Sequence, residues 1–227
     1  FRAVGAKLGE ANVRKAIGDV QQFRKETDAA LVSYEEALRL FRAVGAKLGE
    51  ANVRKAIGDV QQFRDERDAA LVSYEEALRL FRAVGDKLGE ANVRKAIGDV
   101  QQFRAERDAA LVSYEEALRL FRAVGAKLGE ANVYLALGGL KRSDKNIAGA
   151  RADFEGALRS YRTIGDRYSE ARALYRLGDC AADEEKWEDA LAAYRQAAEL
   201  WEGIGLSDLV AQILAPKITE AEKQLKS

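Results

Sequence analysis

The chain has 227 residues, and 37 Lys+Arg balance 37 Asp+Glu, so its formal net charge is zero. That balance argues against a nucleic-acid binder, which carries a basic excess to neutralise phosphates, and no run approaches the roughly 20 apolar residues that span a bilayer. With one cysteine, Cys180, and no histidine, an internal disulfide and a Cys–His nucleophile are excluded, and a zinc site has no ligand set.

The chain opens on a repeat. FRAVGAKLGEANVRKAIGDVQQFRKETDAALVSYEEALRL, residues 1–40, returns at 41–80 and 81–120 with changes in three columns: Ala6/Ala46/Asp86, Lys25/Asp65/Ala105 and Thr27/Arg67/Arg107. A fourth copy begins at Phe121 and departs after Val133, and a fifth, from Tyr161, keeps the pattern alone. A fixed period of this kind signals an array that grows by stacking and needs no single central core. Each repeat reads as two helices. Val13, Ala16, Ile17, Val20 and Phe23 form an apolar stripe at three- and four-residue steps, predicting helix A over about 7–24. Ala30, Leu31, Tyr34, Ala37, Leu38, Phe41 and Val44 predict helix B over about 28–44, with Asp28 as N-cap and Gly45 as a left-handed C-cap residue. Residues 1–5 then read as the tail of a preceding helix B, in a piece of a longer protein. Five repeats occupy 1–205 and a capping helix 206–227. Ser207 starts the cap, Leu209, Ile213 and Ile218 face one way, and Pro216 bends or breaks it. The first helix A has no such cover, which predicts self-association there.

Small residues and an aromatic mark every repeat at spacings of 12, 4 and 3: Gly18, Ala30, Tyr34, Ala37; Gly58, Ala70, Tyr74, Ala77; Gly98, Ala110, Tyr114, Ala117; Gly138, Ala150, Phe154, Ala157; Gly178, Ala190, Tyr194, Ala197. This pattern resembles the tetratricopeptide repeat over essentially residues 1–205. The longer period is similar to repeats of kinesin light chain and of bacterial regulatory ATPases of the signal-transduction class. Gln21, Gln61, Gln101, Lys141 and Ala181 stand where the family usually has tyrosine, and Arg42 replaces the common proline. The resemblance implies an all-α, right-handed α-solenoid (superhelix) of antiparallel helix pairs, about 11 helices in all. In that packing Gly18 and Ala30 let helices A and B approach, while Tyr34 fills the gap to the next repeat.

The resemblance also implies a concave groove lined by helix A. Asn12, Lys15, Asp19 and Gln22 share one polar face by their spacing, repeated as Asn52, Lys55, Asp59, Gln62, as Asn92, Lys95, Asp99, Gln102, and begun again at Asn132. Either these are ladders of donors and acceptors for a peptide backbone, or they are a solvated face on which Lys15 and Asp19 pair for about 0.2–0.5 kcal/mol. Alternating Lys and Asp argues against a clamp for a carboxylate. Glu35, Glu36 and the run Asp183, Glu184, Glu185 read as an outer face and a turn rather than as acid–base pairs, and GAKLGE lacks the ending of a phosphate loop. The expectation is a non-enzymatic, cytoplasmic scaffold or sensor arm that binds a protein or peptide without cofactor, nucleic acid or membrane. The alternative is an architectural or self-associating rod of amplified or engineered repeats.

Overall fold

The computed structural model describes residues 2–226, and among them every regular element is helical. The chain divides between Val124 and Gly125 into two compact units. The first holds α1 (Arg2–Phe23), α2 (Thr27–Ala43), α3 (Lys47–Phe63), α4 (Arg67–Val84), α5 (Lys87–Phe103) and α6 (Arg107–Ala123). The second holds α7 (Lys127–Ser143), α8 (Ile147–Ile164), α9 (Arg167–Asp183) and α10 (Trp187–Glu202). After these, α11 (Ser207–Leu209) passes through a π turn (Val210–Leu214) into α12 (Ala215–Gln224). Taken as one interrupted element, that tail is the eleventh helix. Short connections force consecutive helices to pack antiparallel: α1 on α2, α3 on α4 and α5 on α6, with α2 on α3 and α4 on α5 between repeats. In the second unit α7 packs on α8, α9 on α10, α8 on α9, and α12 on α10.

The repeat signature explains itself in the packing. A Cβ added at Gly18 would lie 2.6 Å from Cε1 of Tyr34, and one at Gly58 the same distance from Tyr74. The glycine is therefore a seat for the aromatic of its own repeat, and Tyr34 is fully buried. The same ring belongs to a cluster with Leu38, Phe41, Val53, Ile57 and Val60, so it joins its own helix pair to the next repeat as well. Reading Tyr34 as filler between repeats captured only half of its role.

The two connections in each repeat solve the same problem differently. Helix B is followed by a left-handed glycine, Gly45 at φ 69° and Gly85 at φ 73°. Helix A is followed by a left-handed residue that is not glycine: Lys25, Asp65, Ala105, Lys145 and Glu185, with φ of 59–64°. Ion pairs then tie repeat to repeat. Arg42 Nε meets Glu50 at 2.7 Å and Arg82 Nε meets Glu90 at 2.7 Å, so the arginine at the missing proline reaches across the turn. Arg64 Nη1 donates to Asp28 at 2.6 Å, again from the following repeat.

Two local expectations need correction. Asp28 is not the N-cap of α2, because the helix begins at Thr27 after Glu26, and the Asp28 carboxylate turns to Arg64 instead. The helix α1 runs unbroken from Arg2 through Gly5, which does not adopt the left-handed conformation of Gly45. Residue 1 lies outside the described residues. Finally, Phe23 does not belong to the buried stripe: it is 88% exposed, and Phe63 and Phe103 are 64% and 70% exposed.

The tail covers the last repeat. Leu214 is fully buried, and Leu209, Val210, Ile213 and Ile218 pack against the core containing Trp201 and Tyr194. Pro216, which has no N–H to donate, sits in the first turn of α12, and the π turn that interrupts the helical hydrogen-bond pattern lies immediately before it. At the other end, Val13, Ile17 and Val20 of α1 are 58%, 40% and 57% exposed, whereas their counterparts Val53, Ile57 and Val60 are buried.

Candidate functional site

The polar face of helix A is organised around a tyrosine supplied by helix B. Tyr34 Oη lies 2.9 Å from Asp19 Oδ1 and 2.8 Å from Gln22 Oε1, and Tyr74 and Tyr114 repeat this arrangement with Asp59/Gln62 and Asp99/Gln102 at the same distances. A phenol has one proton, and the charged carboxylate is its stronger acceptor. Turning the glutamine amide over lets its NH₂ donate to the phenol oxygen and leaves its carbonyl free. Burial, reinforced by the nearby aspartates, pushes the pKa of all three tyrosines well above its ordinary value, so the phenols stay protonated. A second contact runs beside this one: Ser33 Oγ donates to Gln21 Oε1 at 2.7 Å, as do Ser73 to Gln61 and Ser113 to Gln101.

The other oxygen of each aspartate takes the lysine one turn earlier. Lys15 Nζ is 2.7 Å from Asp19 Oδ2, and Lys55–Asp59 and Lys95–Asp99 are each 2.6 Å. The asparagines stand apart. Asn12 is ten residues from Gln22, about 15 Å along the helix at the usual rise. Asn52 and Asn92 donate to Leu48 and Leu88 of their own helices at 3.0 Å. In the second unit, Asn132 accepts from Tyr161 Oη at 2.7 Å, and burial raises that phenol's pKa to about 12.

Two clefts in the first unit follow this division. One, of about 470 Å³, is lined by Asp19, Gln22, Phe23, Lys25, Thr27, Asp59, Val60 and Phe63. The other, of about 530 Å³, lies at the opposite ends of the A helices and includes Asn12, Asn52 and Phe41. The structure therefore brings Lys15, Asp19 and Gln22 of the anticipated face together, and likewise in the next two repeats, while placing Asn12 and Asn52 at a separate cleft. What sequence reasoning missed is the exposed phenylalanine beside the aspartate. A signal existed: the counterparts of Phe23 in repeats four and five are Ser143 and Asp183, a drift to polar residues that a core position does not tolerate.

The fifth repeat uses its aspartate differently. Asp179 is almost wholly buried and receives Tyr194 Oη at 3.0 Å, Lys217 Nζ at 2.7 Å, Arg142 Nη1 at 3.2 Å and Arg176 Nη1 at 3.4 Å. The Lys217 ammonium also stands 5.6 Å from the centroid of the Tyr194 ring. Arg142 makes a two-pronged contact with Asp183, at 2.6 and 2.9 Å. Cys180 next door is buried, which raises its thiol pKa to about 11 and leaves it mostly protonated near neutrality. Among the described residues no group of His, Cys, Asp or Glu is arranged to hold a metal ion, and no helix is long and apolar enough to cross a membrane.

The tetratricopeptide repeat family model matches residues 49–123 and 129–203. Comparison with curated proteins gives no match. Among solved structures, BtubC (BKLC) from P. vanneervenii superposes with a TM-score of 0.76 at 17% identity, covering 89% of this chain and 91% of that one. A Rap protein complexed with competence and sporulation factor gives 0.73 at 17% identity, covering 96% of this chain and 64% of its own. A signal transduction ATPase with numerous domains and a tetratricopeptide repeat sensor, from Pyrococcus horikoshii, gives 0.76 at 16% identity, covering 97% of this chain but only 36% of its own. At these identities the likeness is one of fold, an α-solenoid of antiparallel helix pairs.

Proposed function

Because the chain belongs to the tetratricopeptide repeat family, we propose that it is a non-catalytic interaction scaffold that holds a protein or peptide against the A helices. The observation that carries this reading is the row of exposed Phe23, Phe63 and Phe103 beside the aspartate–tyrosine–glutamine clusters. Large aromatic rings exposed at the same place in three repeats form a recurrent apolar surface of the kind that marks interaction sites. They also offer the rigid apolar contact area on which binding energy concentrates. The Asn12, Lys15, Asp19, Gln22 set, its two successors and Asn132 supply polar anchors in this reading. Within the set, the aspartates are held before a ligand arrives by the lysine one turn earlier and by the helix-B tyrosine that also meets the glutamine. The Rap protein's structure contains competence and sporulation factor, and the Pyrococcus protein carries its repeats as a sensor. By analogy this array serves as the sensing arm of a larger, cytoplasmic regulatory protein, without nucleic acid or membrane as partner. Pull-down with the intact chain tests the proposal. Partners retained by the parent should be lost when Phe23, Phe63 and Phe103 are all replaced by alanine, while the melting temperature holds. Undiminished capture by that variant refutes the site.

A second reading has its own observation. Val13, Ile17 and Val20 are exposed on α1 while the same residues are buried on α3, which favours self-association through the first repeat. Light scattering over a concentration series distinguishes it: a mass that stays at one chain rules it out.

A further inference from the structure

We propose that the exposed face of α1 is a second docking site, separate from the cleft beside Asp19, and that it takes an antiparallel amphipathic helix from another polypeptide. That helix is built like α2, with an acid at its start, a Tyr–Leu–Phe stripe and an arginine at its end. The proposal goes beyond the scaffold reading, and none of the residues assigned to that site carries it. Residues 7–23 of α1 are the same seventeen residues that form α3. On α3 the apolar face is covered by α2, whose Tyr34, Leu38 and Phe41 lie in one cluster with Val53, Ile57 and Val60. On α1 the corresponding Val13, Ile17 and Val20 are open. The same residues at the same helical spacing fit the same cover.

Three features beyond apolar exposure specify the occupant. The first is a notch for an aromatic ring. A Cβ added at Gly49 would collide with the Phe41 ring and one at Gly89 with the Phe81 ring, so each glycine seats a phenylalanine from the helix before it. A Cβ at Gly9, the counterpart on α1, meets nothing within 4 Å. The other two features are charges at the ends of the stripe. Across the contact of α2 with α3, Glu50 accepts from Arg42 at 2.7 Å and Arg64 donates to Asp28 at 2.6 Å. Their counterparts on α1 are Glu10, which is exposed, and Arg24, whose side chain is 66% exposed where that of Arg64 is 33%. Arg24 already makes the contact to Glu26 that Arg64 makes to Glu66, and the place of Asp28 is left to the occupant. The last helix B of a second copy does not fit. In α10, Glu202 stands where α2 has Arg42, which would set a carboxylate against Glu10, and α12 packs on α10 already.

A fluorescein-labelled peptide of residues 27–44, TDAALVSYEEALRLFRAV, titrated with the intact chain tests the proposal. An isolated helix of this length is marginal in water, so the titration extends to about 1 mM. Anisotropy should rise, and a peptide carrying Phe41→Ala should bind roughly ten-fold more weakly. Gly9→Leu in the chain should weaken the parent peptide by a similar factor while the melting temperature holds, because the added Cβ touches nothing in the chain. Arg24→Glu should weaken it about three- to ten-fold, and a peptide carrying Asp28→Arg should restore the loss. Circular dichroism checks that both chain variants fold. No rise overturns the proposal. So does a rise that ignores Gly9→Leu, which means that the peptide has replaced an internal helix B. A loss with Arg24→Glu that Asp28→Arg does not restore overturns the antiparallel alignment. Dimers seen by light scattering that the peptide leaves intact assign the face to a second copy and overturn the foreign helix. None of these results bears on the site beside Asp59 and Phe63, which the triple phenylalanine variant tests separately.

Discussion

Tyr74 and Gly58 form a matched pair, one ring filling the space that one missing Cβ creates. Gly58→Leu must therefore evict a fully buried ring, and we expect a loss of roughly 1–3 kcal/mol, as for other overpacked cores. Thermal melting reads it, and a melting temperature equal to the parent's contradicts the seat. The tyrosine hydroxyls give a pH signature. Their pKa values in the fold are raised above the free value of 10 by burial first and by the adjacent aspartates next. A raised folded pKa stabilises the fold in full below the unfolded value and progressively less as pH climbs beyond it. Stability should hold up to about pH 9 and fall above about pH 10. Absorbance at 295 nm should show Tyr34, Tyr74, Tyr114 and Tyr194 ionising together with unfolding rather than before it. Gradual ionisation in a still-folded protein would count against this coupling.

At the scale of the helix, the caps explain one of the three variable columns. Asp86 Oδ1 accepts the Gly89 N–H at 2.9 Å, closing the start of α5, whereas Ala46 offers α3 nothing. Ala46→Asp should stabilise by about 1 kcal/mol, seen as a higher melting temperature, and no gain would deny the cap its role. Much of this level was legible in the sequence. The periods of Val53, Ile57 and Val60 on helix A and of Tyr74, Ala77 and Phe81 on helix B place them in the core, where they lie. What escaped is where a stripe ends. Phe23 continues the apolar spacing of α1, yet it stands on the last residue of the helix, past the reach of α2, so periodicity alone puts it inside. The tyrosine–aspartate bond, in contrast, left a trace that could have been read. Where Tyr becomes Phe154, the aspartate position becomes Gly139, and where Tyr returns at 194, Asp179 returns with it. The left-handed residues at 25, 65 and 105 had no such trace, since Lys, Asp and Ala share no preference for positive φ.

For the molecule as a whole, the near-identity of the first three copies extends to their interfaces. Arg42–Glu50 and Arg82–Glu90 have the same length, Arg64–Asp28 and Arg104–Asp68 join equivalent atoms, and Phe41 and Phe81 are both buried against the next helix. Stability in such an array is approximately a sum over repeats and nearest-neighbour contacts. This interchangeability has a genetic counterpart. Cutting out residues 41–80 joins Leu40 to Phe81 and presents α2 with a neighbour, α5, that carries the same seventeen residues as α3. The shortened chain should fold, with helix content reduced in proportion and a lower midpoint in urea, whereas a collapsed or aggregated product would show that the repeats are less equivalent than their interfaces imply. A coding sequence built this way can lose or gain a unit by unequal recombination between its copies and still specify a folded product, so the number of sites becomes a quantity that can drift or be selected.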